Sequence, residues 1–191
     1  GPTPPAGISR GLTLPLSQNA KVIADVPPYL WQYGCAPTVL GMVFAFWEKH
    51  GVDQLLPGDP SSQTDEVNEA IASIDHYNDY SLPLDDWGHA ANILPDKSED
   101  PPDDEHQDNS IADFVKTSQS VYHLRYGWSA SRFLEQSVRN YVSFATPHVA
   151  VSSQFLTMED GFSWEIYKRE IDASHPVLLI VDTDGDSQTD H

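Results

Sequence analysis

Cysteine occurs once in these 191 residues, and positive charge is scarce, with ten lysines and arginines against 29 acids for a net charge of −19. A single cysteine cannot form an internal disulfide, so cysteine usage says nothing of the redox compartment. A surface this acidic is repelled by nucleic acid and by anionic membranes, which removes both as partners. No apolar run approaches the roughly 20 residues that cross a bilayer, so membrane insertion is not expected. The first residues lack the basic start and apolar core of a secretory leader. Gly1 fits either a tag remnant or a mature end left by leader removal. The length suits one domain with a real core and is short for two.

What is present is concentrated between Trp31 and His50. The only cysteine, Cys35, is followed by Ala36-Pro37-Thr38 and then by Val39 to Trp47, where nearly every side chain is apolar. Pro37 fits the first turn of a helix, where a missing N–H costs nothing. A helix apolar on all sides is a buried helix. Cys35 is therefore expected at the N-terminus of a helix running through the domain, where free backbone N–H groups and the positive dipole end favour thiolate over thiol. That points to a nucleophile. The competing reading is a small buried core cysteine.

Along the rest of the chain, residues 1–20 read as an extended, proline-rich arm, and residues 21–191 as one domain. Lys21–Val26 is a strand candidate stopped by Pro27-Pro28. Gly51 is placed to end the central helix. A Pro/Gly/Ser loop over 52–63 leads into a second helix from Thr64, with Val67, Ala70, Ile71 and Ile74 at helical spacing, ending near His76. Residues 95–108 read as an acidic, solvated loop. A third helix is expected from an Asn109 cap, a fourth through Phe133 to Val142, and a fifth from a Ser163 cap. His148–Val151 and the apolar run His175–Val181 are expected as strands. Helices first and strands last describe an α+β order.

The segment Gln32-x-x-Cys35-Ala36-Pro37-Thr38 before an apolar helix resembles the papain-like cysteine peptidases, specifically the bacterial family-39-like group related to bacteriocin-leader-processing peptidases. Residues 71–76 and 111–120 resemble further blocks of the same group. Ala36 stands where that family usually has glycine. Gln32 lies three residues before Cys35, whereas the oxyanion-hole glutamine of papain-type enzymes lies about six before. The resemblance implies an α+β papain-like fold, with the central cysteine-bearing helix packed on an antiparallel sheet. It implies peptide or protein substrates, no required cofactor, and a location outside the cytoplasm or in the cell envelope. It also places the family's histidine after a buried strand, and Asp190-His191 matches the start of that motif. The family continues beyond this point with strands and an Asn or Asp that orients the histidine, so those C-terminal strands are expected to be missing here.

A cysteine nucleophile needs a base, usually histidine. His191 is the first candidate for that role, a tag residue being the other explanation for it, and His148 is the internal rival. His50 and His76 read as ordinary helix-end cations, and His106 as part of the acidic loop. The turn Asp182-Thr183-Asp184-Gly185-Asp186-Ser187-Gln188-Thr189-Asp190 spaces carboxylates like a calcium loop, with Asp182, Asp184, Asp186 and Asp190 as candidate ligands. It departs from the EF-hand pattern at Ser187, and the ordinary reading is an acidic β-turn between strands. The expected function is peptide-bond hydrolysis by Cys35 and His191, with Gln32 and the Cys35 N–H holding the oxyanion. Two alternatives stand beside it. One is a catalytically degenerate, peptidase-like binding module, and the other a calcium-stabilised extracellular structural domain.

Overall fold

The structure is a computed structural model, and it describes residues 21–80, 96–99 and 104–181. Six α-helices follow one another: α1 (Cys35–Lys49), α2 (Asp65–Ile71), α3 (Ile74–Tyr80), α4 (Ile111–Phe114), α5 (Ser131–Ala145) and α6 (Trp164–Asp172). Two short 3-10 turns, Lys97–Glu99 and Ser120–Tyr122, flank α4.

The long apolar helix forms as its sequence requires. α1 buries Pro37, Thr38, Leu40, Gly41, Phe44, Ala45 and Phe46, while Met42, Val43 and Trp47 are half-buried around it. It ends in a two-bond C-terminal cap, with Gly51 N–H on Glu48 O at 3.1 Å and Val52 N–H on Trp47 O at 3.0 Å. This pairing satisfies the last orphan carbonyls. Around α1 sit Val67 and Ile71 of α2, Ile111 of α4 with Val115 just after it, and Leu134, Tyr141 and Val142 of α5. Phe44 stacks on Tyr141 with centroids 5.0 Å apart. Removing each such large apolar side chain from water contributes about 1.5–3 kcal/mol. Polar bonds hold the loop after α1 in place: Tyr141 donates to Leu55 O at 2.9 Å, and Thr146 to the carbonyls of Asp53 and Gln54 at 2.9 Å each.

The papain-like α+β expectation is not met, because the described residues contain no strand and no sheet. Each expected strand fails for a visible reason. Lys21–Val26 is broken at Asp25, whose φ of 72° turns the chain. Residues 148–151 and 175–181 do carry strand-like side-chain alternation. Val149, Val151, Leu178 and Ile180 face the core, and Ala150, Val177, Leu179 and Val181 face out. Alternation specifies which side chains are buried, but a strand also needs a laterally hydrogen-bonded neighbour. Among the described residues these segments lie singly on α1 and α5 instead of pairing. With α5 they border an apolar cleft of about 470 Å³ at the C-terminal half of α1, lined by Leu40, Phe44, Trp47, Val138, Val149 and Leu178.

Three smaller expectations also change. The helix expected from Thr64 to His76 is two helices, broken at Ala72, whose extended backbone (φ −153°, ψ 111°) leads to Ser73. Ser73 Oγ accepts the His76 N–H at 3.1 Å and so opens α3. α4 is capped by Ser110 rather than Asn109, through a reciprocal capping box with Asp113. The acidic segment 95–108 is not simply solvated. Asp96 is buried, accepting from Ser120 N–H at 3.0 Å and from Ser98 N–H at 2.9 Å, and His106 is drawn into the interior. No helix among the described residues is long and apolar enough to cross a membrane.

Candidate functional site around Cys35

Cys35 is the first residue of α1 and is exposed, so the buried-cysteine reading does not hold. Side chains at a helix start lean toward the N-terminus, which tilts the thiol over the approach segment 31–34. The first intrahelical bond runs from Thr38 N–H to Gly34 O at 3.3 Å. Ahead of it, the backbone N–H groups of Cys35 and Ala36 have no intrahelical acceptor, and Pro37 has none to offer. No acidic residue sits in this first turn. An anion forming beside Cys35 therefore meets two free donors and the positive end of a four-turn helix.

Thr38 builds the approach. Its buried hydroxyl accepts the Gln32 N–H at 2.9 Å and donates to Gly34 O at 2.6 Å, folding Gln32–Gly34 back over the helix start. Tyr33, at the apex, is held at φ 52°. The far wall comes from the loop after α4. A Cβ on Gly34 would lie 2.8 Å from Pro37 Cγ, 2.9 Å from Gly127 O and 2.9 Å from Thr117 Cγ2. A Cβ on Gly127, itself at φ 79°, would lie 2.7 Å from Tyr33 O. Two chain segments thus touch backbone to backbone beside the thiol, which only glycine allows. The loop is cross-tied by Ser118 N–H on Trp128 O at 3.0 Å, Gly127 N–H on Ser118 Oγ at 2.8 Å, and Thr117 Oγ1 to Ser129 Oγ at 2.7 Å. Tyr33, Lys116, Ser118 and Tyr126 all hold positive φ in these two segments. Non-glycine residues in that region cost of order 1–3 kcal/mol each, and such strain gathers where geometry is used.

The histidines sort by position along α1, which is about 22 Å long at 1.5 Å per residue. His148 lies 3.6 Å from Asp53, past the C-terminal end of the helix and opposite Cys35. The internal rival to His191 is therefore not at the thiol. His175 contacts Trp47 and Glu170, and His50 bonds Phe46 O at 2.7 Å, both at that same far end. The apolar cleft also lies there, and Cys35 does not line it. His191 and the candidate calcium ligands Asp182, Asp184, Asp186 and Asp190 lie outside the described residues. Gln32 is half-buried three residues before Cys35, and its backbone, as described above, is fixed by Thr38. Among the described residues no group of three or more His, Cys, Asp or Glu side chains could hold a metal ion.

Behind α4 lies a buried ionic cluster that the sequence reading missed. Asp113 is fully enclosed. Its Oδ1 accepts from His76 Nδ1 at 2.5 Å and from His106 Nε2 at 3.1 Å, and its Oδ2 accepts from Ser110 N–H, Ser110 Oγ and Asn109 N–H at 2.8, 2.7 and 3.1 Å. The other His106 nitrogen meets Asp79 Oδ2 at 2.7 Å, and Lys97 Nζ meets Asp79 Oδ1 at 3.1 Å. The cluster ties together α3, α4 and the two segments that flank the 100–103 stretch. His76 Nε2 is buried without a partner. The one clue in sequence was Ser110-x-x-Asp113, a capping box. The two histidines come from segments about 30 residues apart, and no local pattern announces their meeting.

Both His106 nitrogens face carboxylates, which requires the imidazolium. The Asp113 hydrogen bond above all, with that of Asp79, overcomes the opposing burial and raises its pKa to about 9. Burial alone would discourage ionisation of Asp113, but the bonds from His106, His76 and Ser110 outweigh it and hold the carboxyl far below its ordinary range. Because the folded pKa of His106 lies above the unfolded value near 6.5, its contribution is complete below pH ~6.5 and disappears as pH rises through 9. We expect the melting temperature to fall between pH 7 and 10. His106→Gln should flatten that slope, and an unchanged slope in the variant would contradict the assignment.

Comparison with family models, with curated proteins and with solved structures finds no match for this chain.

Proposed function

We propose that this protein hydrolyses peptide bonds with Cys35 as the nucleophile. The observation that carries the reading is the placement of an exposed thiol at the start of a buried helix, between two strained backbone segments pressed together at Gly34 and Gly127. Such a site supplies an accessible nucleophile and donors for an oxyanion. The sulfur is accessible, the Cys35 and Ala36 N–H groups are free to receive an oxyanion, and Gln32, three residues before the thiol, is the proposed third donor. The likeness of Gln32 to Thr38, and of residues 71–76 and 111–120, to family-39-like cysteine peptidases supports the same chemistry. His191 is the proposed general base, and then the acid that protonates the leaving amine. Its role rests on the Asp190-His191 motif. The reaction requires no cofactor, and the substrate is a peptide or protein.

The test is chemical. Full-length protein incubated with a pool of synthetic peptides should release new amino termini, and stoichiometric alkylation of Cys35 by iodoacetamide should stop the release. Cleavage that survives complete alkylation would rule out the thiol as nucleophile.

A further inference from the structure

The approach to Cys35 is paved with aromatic rings that the fold pins but does not cover. Trp31 lies with its Cζ2 edge against Gly127, where a Cβ would come within 3.0 Å of it, yet the residue remains 43 % exposed. Tyr33 meets Trp31 edge-on at 6.4 Å and packs on Tyr77 of α3 at 4.9 Å. Trp128, next to Gly127, is 46 % exposed. An indole whose only purpose was packing would be turned inward, whereas here the contacts fix one edge and leave the rest toward solvent. Trp31 and Tyr33 precede Cys35 by four and two residues, and Gly127, against which Trp31 rests, meets Gly34 at the start of the helix, so the rings border the approach to the thiol.

We propose that Trp31 and Tyr33, backed by Tyr77 and Gly127, form a subsite for an aromatic side chain of the peptide, adjacent to the carbonyl that Cys35 attacks. This rests on the reading of Cys35 as a nucleophile and adds its specificity. The occupant is an aromatic residue because offset or edge-on ring pairs are favoured on a rigid aromatic shelf. The peptide carrying it is neutral or basic, because the chain's charge of −19 repels an acidic one.

The experiment compares alkylation of Cys35 by iodoacetamide and by N-benzyl-iodoacetamide, on the native protein and on the protein unfolded in guanidinium, which supplies the intrinsic ratio of the reagents. We expect the native protein to prefer the benzyl reagent about tenfold over that intrinsic ratio, equivalent to about 1.4 kcal/mol. In Trp31→Ala the preference, read as the ratio of the two rates in that variant, should fall to about twofold or less. Trp31→Leu, which keeps an apolar contact on Gly127 without a ring, serves if the alanine variant does not fold. No preference in the native protein, or one that persists in the variants, would overturn the subsite. Labelling needs no turnover, so a protein that cannot cleave peptides but still prefers the benzyl reagent would fail as a peptidase while keeping the aromatic subsite.

Discussion

Asp113→Ala is expected to destabilise the protein by about 3–5 kcal/mol, the usual result of removing one partner from a buried charge pair. The side chain it removes accepts five hydrogen bonds from four residues. Its loss leaves the His106 imidazolium bound only to Asp79, strands the N–H donor of a second buried histidine, and opens the cap of α4. For a chain of this size each kcal/mol moves the melting temperature about 2–4 °C, so a drop on the order of 10 °C is expected. Calorimetry at pH 7 would measure it. Asp113→Asn tests the charge separately from the shape, since the amide keeps the volume but cannot satisfy two ring donors on one oxygen with equal strength. A loss under about 1 kcal/mol in the alanine variant would show that the cluster is solvated or rearranges freely, contrary to its enclosure.

Much of the helical half of this chain was legible. The run from Val39 to Trp47 could only be a buried helix, and Gly51 and Ser163 end and begin helices where their chemistry places them. Cys35 could be located at a helix start from Pro37 alone. What was not legible depends on pairing between distant segments. Val149 and Val151, or Leu178 and Ile180, alternate in burial as strand residues do, and periodicity cannot say whether a hydrogen-bonded neighbour exists. His76 was misread as a helix-end cation because Val67, Ala70, Ile71 and Ile74 at helical spacing made α2 and α3 look continuous, hiding the break at Ala72-Ser73. His106 was lost in an acidic segment whose composition suggests solvent, although its partners in the interior are Asp79 and Asp113, which lie outside that segment. The close approach of Gly34 to Gly127 joins residues 93 positions apart in sequence, and neither glycine carries a local turn motif that would reveal it.

Cys35→Ala separates chemistry from structure more cleanly than any other change in this protein. The side chain is exposed, alanine is the best helix former, and no hydrogen bond of the described structure ends on the sulfur, so stability should stay within about 0.5 kcal/mol. Activity should not survive. Without a nucleophile the free N–H groups of Cys35 and Ala36 can still polarise a carbonyl, but the covalent route is closed, and losses when a catalytic nucleophile is removed reach about 10⁶-fold. The decisive measurement is therefore the rate of peptide hydrolysis by wild-type protein and by Cys35→Ala at equal, melting-verified folded concentration. The account predicts cleavage by the wild type and none above background by the variant. Equal rates in the two proteins would contradict it.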